Sequence, residues 1–167
     1  MENLPQKVNF SLSAFFREEW HKTLTPRCEM YSKVSISKDQ EALAVKVEIV
    51  NRTPHGGVVT YRQNYILPAQ LLQQLKRVFE QRVKVAEVIK ALAQAKDNTV
   101  KINTIRILAR SMQMVGISIN YFTVQALYQH LFKRKVSTQL IRKALQRDPN
   151  CKMFYKARQP HFYFTSL

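Results

Sequence analysis

Nine of the 26 residues from 133 to 158 are Lys or Arg, and only Asp148 among them is acidic. The basic residues are Lys133, Arg134, Lys135, Arg142, Lys143, Arg147, Lys152, Lys156 and Arg158, a local net charge of +8. Ammonium and guanidinium groups at this density bind polyanions, above all a phosphate backbone, by displacing its counterions. Gln139 and Gln146 stand among them, and Gln and Arg are the side chains that pair bidentately with adenine and guanine edges.

Other chemistries have less support. Three glycines, Gly56, Gly57 and Gly116, leave no phosphate-cradling loop of the GxxxxGK or GxGxxG kind. Cys28 and Cys151 form no CxxC pair, and with His21, His55, His130 and His161 they make no metal-ligand spacing, so neither metal nor cofactor is expected. Both cysteines read as reduced, buried thiols. The adjacent pair Glu18-Glu19 points to different helix faces, and a Mg²⁺ site would have to assemble Glu29, Asp39, Glu41 and Glu48 across separate strands. No catalytic residue is assigned, and the expectation is a protein that is not an enzyme.

The whole chain has 167 residues, with 27 Lys and Arg against 11 acids, a formal charge of +16 and a pI near 10.2. Its hydrophobic fraction of 46% is too high for a disordered basic tail, so the charge sits on a folded body of one domain or two small ones. No apolar run approaches the ~18–20 residues of a membrane span, and residues 1–9 lack a signal-peptide core. The expected location is the cytoplasm, associated with the nucleoid, or the nucleus in a eukaryote.

The spacing of apolar residues predicts the elements that carry these groups. Ser11 caps a short helix through Leu12, Phe15, Phe16 and Trp20, ended by Thr25-Pro26. Alternation over 28–37, 42–50 and 58–66 predicts a three-stranded antiparallel meander, with Lys46, Tyr61, Arg62 and Tyr65 as candidates for its exposed face. After Pro68, apolar residues at three- and four-residue spacing predict a long helix over 69–95, which either breaks near Arg82 or offers a second apolar face to a partner. Residues 96–99 mark the boundary between an α+β unit for assembly or sensing, 1–96, and a second unit, 97–167. The second unit holds twelve basic residues and two acids.

In that second unit a helix over 103–115 closes at Gly116, and Ile117-Ser118-Ile119 is extended. Asn120 or Thr123 caps a helix with Phe122, Ala126, Leu127, His130 and Leu131; Ser137 caps another, ended by Asp148-Pro149. A hairpin over 151–166 follows, with Met153, Tyr155, Phe162 and Phe164 in the inward phase and Tyr121, Phe154 and Tyr163 in the other. His130 reads as a core or boundary residue, and His161 beside the hairpin turn as a residue that can reach a phosphate.

This order resembles a winged helix-turn-helix domain: 122–131 for the first helix, 133–136 for the turn, 137–147 for the second helix and 151–166 for the wing. The resemblance implies that the second helix enters the major groove while the hairpin touches the adjacent backbone or minor groove. With Leu140, Ile141, Ala144 and Leu145 inward, Thr138, Gln139, Arg142, Lys143 and Gln146 are the candidate base contacts. Lys133, Arg134, Lys135, Ser137, Lys152, Lys156 and Arg158 are the candidate phosphate contacts. The fold class is therefore α+β with a C-terminal winged helix, and the expected function is a DNA-binding transcriptional regulator. Its expected partner is duplex DNA, with a homodimer formed through helix 69–95. The alternative is a structural nucleic-acid-binding subunit of a larger nucleoprotein complex, of the replication, RNA-processing or CRISPR type, holding a backbone without reading sequence.

Overall fold

A computed structural model describes residues 21–24, 29–36, 42–52, 58–156 and 159–167. The chain divides into two compact units, Met1–Ala69 and Gln70–Leu167. The first is an antiparallel sheet of strands β1 (His21–Leu24), β2 (Glu29–Ile36), β3 (Leu43–Arg52) and β4 (Val58–Leu67), in that spatial order. The register runs from Glu29 opposite Val50 to Ile36 opposite Leu43, and from Leu43 opposite Leu67 to Arg52 opposite Val58.

The sheet has four described strands where the alternation predicted three. His21–Leu24, expected in the final turn of the Ser11 helix, instead pairs with β2, Thr23 lying opposite Met30. A four-residue stretch has too little periodicity to declare itself, and the open ladder of β2 supplies partners for its backbone groups. Ser11 to Trp20 lie outside the described residues. Successive residues 42–46 are all buried, so both faces of β3 are dry at this end, and Lys46 is only 5% exposed rather than part of a wetted face.

The second unit orders α1 (Ala69–Glu80), α2 (Val85–Gln94), α3 (Thr99–Met114), β5 (Ile119–Asn120), α4 (Tyr121–Phe132), α5 (Thr138–Gln146), β6 (Cys151–Lys156) and β7 (Gln159–Phe164). Of the two alternatives for 69–95, the structure shows the break near Arg82, which divides the segment into two helices. The amides of Arg82 and Val83 both donate to the Phe79 carbonyl, at 3.0 and 3.2 Å, and the Glu80 carboxylate accepts from the Val85 amide at 3.1 Å, capping the start of α2. The break lets Leu72, Leu75 and Phe79 on α1 and Val85, Val88 and Leu92 on α2 all be buried. Leu71, Val78 and Ile89 of the same apolar spacing are half-buried. α2 packs against α3 and α4, and the Phe79 ring lies 5.3 Å from that of Phe132 on α4. The division between units accordingly falls at 69/70, not at 96/97.

Local signals place the remaining elements. α3 ends on Gly116 at φ +82°; the Gly116 amide donates to Gln113 and the Ile117 amide to Met112, a Schellman closure with Met112 and Ile117 both buried. Asn120 caps α4, accepting from the Phe122 and Thr123 amides at 3.0 Å each, while the Thr123 hydroxyl oxygen accepts from the Asn120 amide at 3.1 Å. The three C-terminal strands form a sheet in the order β5-β7-β6.

Half-buried on α4, His130 has its Nδ1 enclosed without a hydrogen-bond partner among the described residues. Burial first and the neighbouring Lys133 second lower its pKa below the ordinary 6.5. The unfolded chain therefore takes up a proton that the folded form resists. Stability is expected to be level above that value, to fall as pH drops through it, and to flatten once folded His130 is protonated. His130→Phe should remove this component from the pH dependence of the urea midpoint; an unchanged slope would reject it.

Candidate nucleic-acid interface

Lys133 closes α4 in the left-handed conformation, φ 57°, its amide donating to Gln129 at 2.9 Å. The chain then reverses through Val136, which is buried and whose carbonyl accepts from the Gln125 side chain at 2.8 Å. Pinned at these two points, the turn exposes Lys133, Arg134 and Lys135. Ser137 caps α5, its hydroxyl oxygen accepting from the Leu140 amide at 3.1 Å.

α5 is amphipathic in the sense its sequence predicts. Ile141, Ala144 and Leu145 are buried and Leu140 is half-buried; Gln139, Arg142, Lys143 and Gln146 are exposed, and Thr138 is half-buried at the first position. Arg142 donates to the Gln146 amide oxygen one turn on, at 3.3 Å.

The inner face of α5 is tied to α3 by polar bonds as well. Arg106 donates from Nε to the Ala144 carbonyl at 2.9 Å. Asp148, just beyond α5, is 5% exposed and lies 2.8 Å from Arg110 and 3.8 Å from Arg106. Arg110 also lies over the Phe164 ring, 4.4 Å from its centroid. The only acid between 98 and 167 is therefore neutralised inside, leaving the outer surface of α5 without a negative charge.

Two flanks of α5 gather different partners. On one, Gln139 and Lys143 border a depression of about 380 Å³ whose rim also holds Asn98, Lys101, Lys135 and Ser137. Lys101, Lys135 and Lys143 thus line it together with the N-terminus of α5, a setting that favours phosphate. Lys101, from the first turns of α3, carries no signal in the linear spacing of the basic cluster. On the other flank lies Tyr121, half-buried and packed on Phe162 at 5.4 Å between ring centroids. Burial raises the Tyr121 phenol, while Arg142 is close enough to lower it and Tyr155 close enough to raise it.

The hairpin differs from expectation in several side chains. Phe162 and Phe164 are buried, but on the edge strand β6 Met153, opposite Phe162, and Tyr155, opposite Pro160, are 43% and 70% exposed. His161 is buried, its Nδ1 3.1 Å from the Gln159 carbonyl, and so is not placed for a phosphate. Lys152 and Lys156 are exposed, whereas Arg158 lies outside the described residues. Cys151 is a free, half-buried thiol, raised to about 11 by burial and by Asp148; Cys28 is outside the described residues.

Among the described residues no three of His, Cys, Asp and Glu come together as a metal site, and no helix is long and apolar enough to cross a membrane. Comparison with models of known protein families, with curated proteins and with solved structures finds no match to this chain.

Proposed function

We propose that residues 99–164 form a winged helix-turn-helix unit in a non-enzymatic DNA-binding protein, a transcriptional regulator that reads duplex DNA by laying α5 in the major groove. The observation that carries this reading is the outer face of α5. Gln139, Arg142, Lys143 and Gln146 are exposed together on a helix whose other side is buried, and the one nearby acid is held away from them. The order α3, β5, α4, α5, β6, β7 with a three-stranded sheet is what such a unit requires. In this reading Lys133, Arg134 and Lys135 anchor one strand's phosphates, and Lys101 joins them.

The depression between Lys101, Lys135 and Lys143 also favours a second reading: a subunit of a nucleoprotein complex that grips a backbone without reading bases. Selection from a random duplex pool at physiological salt separates the two. An enriched motif supports the regulator, and flat enrichment with steep salt dependence supports the scaffold. On an enriched site, Gln139→Ala with Arg142→Ala is expected to reduce preference by about 10–100-fold. Lys133→Ala with Lys135→Ala should weaken all sequences alike and lower the salt slope by about one unit per lost phosphate contact. Binding by the double lysine variant indistinguishable from wild type would overturn this orientation.

A further inference from the structure

β6 is the edge of the C-terminal sheet, and its register with β7 sets Lys152 opposite Tyr163, Phe154 opposite His161 and Lys156 opposite Gln159. Directly paired residues share a face, so Lys152, Phe154, Lys156 and Tyr163 lie together, opposite the face that carries Phe162 and Phe164. Phe154 and Tyr163 are each 44% exposed, with ring centroids 5.9 Å apart. Beside Phe154 on the same face is the buried ring of its cross-strand partner His161, 5.6 Å from it and tilted 32° to it. Phe154 is therefore held against a neighbouring ring of the same face while remaining exposed, with an exposed lysine two residues to either side.

We infer that this face of the hairpin binds unpaired nucleotides, whose bases stack on Phe154 and Tyr163 while their phosphates run past Lys152 and Lys156. Aromatic rings set between cations along a strand are the two components of single-strand recognition: a surface for the base, and a charge for the backbone. A closed duplex does not offer base faces, so this surface takes single-stranded segments, in addition to the duplex assigned to α5. Charge selects the occupant. In a chain of net +16, a second copy laid face to face would bring two pairs of lysines together, whereas a nucleic-acid strand neutralises them. The inference rests on the nucleic-acid-binding reading above but uses none of the α5 residues.

The test uses the full chain with fluorescein-labelled oligothymidylate and, separately, a blunt duplex, followed by anisotropy over a range of salt. Wild type is expected to bind the oligothymidylate. Phe154→Ala with Tyr163→Ala should lose about tenfold in affinity per ring removed, with the salt slope and the duplex affinity unchanged, because the lysines and α5 remain. Phe154→Leu keeps an apolar side chain beside His161 without an aromatic face, and should lose nearly as much as Phe154→Ala; full affinity in this variant overturns stacking. Equal losses on single strand and duplex overturn the assignment of the face. Duplex binding without single-strand binding overturns this inference and leaves the α5 reading standing, while the reverse pattern removes the duplex reading alone. Displacement of oligothymidylate by polyglutamate of equal charge as readily as by unlabelled oligothymidylate would mark an acidic-peptide site. Self-association abolished by Phe154→Ala would mark a second copy as the occupant, and either result overturns the proposal.

Discussion

Phe79→Ala is expected to destabilise the Gln70–Leu167 unit by about 3–5 kcal/mol, read as a shift of the urea midpoint at unchanged m-value. Phe79 has no solvent exposure, and its ring meets Phe132, which in turn makes an edge contact with Tyr128 at 5.1 Å. All three rings are buried, so truncation leaves a cavity that fixed neighbours on α4 cannot readily fill. The magnitude matters for the organisation of the chain, since Phe79 precedes residue 97. A loss below about 1 kcal/mol would mean that α1 is peripheral to the core formed by α2, α3 and α4. Phe132 is also the last residue of α4, directly before the basic turn. Its packing holds that turn from behind, and nucleic-acid affinity should change little under conditions where the variant remains folded.

Asp148→Asn is the second large effect, expected at about 2–3 kcal/mol. Removing one partner of a buried ion pair typically costs about 3–5 kcal/mol, because the remaining charge is left without compensation. Here the loss is smaller, since Arg106 and Arg110 retain 29% and 16% of their side-chain exposure. Asn keeps an oxygen for the Asn150 amide, which the carboxylate accepts at 3.0 Å, so the change isolates the charge. Because Asp148 follows α5 directly and Arg106 also holds the Ala144 carbonyl, the variant loosens the seat of α5 on α3. The expected signature is a lower denaturation midpoint together with faster amide exchange at the end of α5; a midpoint within about 1 kcal/mol of wild type would show that the arginines find other partners.

Legibility along the chain follows how local each determinant is. Strands β2, β3 and β4, the capped starts of α4 and α5, and the Gly116 closure of α3 depend on alternation, on short polar side chains and on one left-handed glycine, all written within a few residues. The outer face of α5 was legible for the same reason, as Gln139, Arg142, Lys143 and Gln146 are set by helical phase alone. β1 was not legible, because four residues become a strand only when β2 offers its edge. Nor was the choice at 81–84, where the apolar periodicity runs on through the break and the Glu80 carboxylate decides the matter by capping α2.

By itself the sequence determined the charge balance, the alternation and helical phase of these elements, and the concentration of cations between 133 and 158. Tertiary structure decided which of those cations and rings work together. It buried Asp148 between Arg106 and Arg110, brought Lys101 to Lys135 and Lys143, and buried His161 beside Phe154. It also left Met153 and Tyr155 open at a sheet edge although their alternation points inward. The physical reason is common to all four: phase along one element says which way a side chain points, but burial and charge pairing depend on what another element, distant in sequence, sets against it.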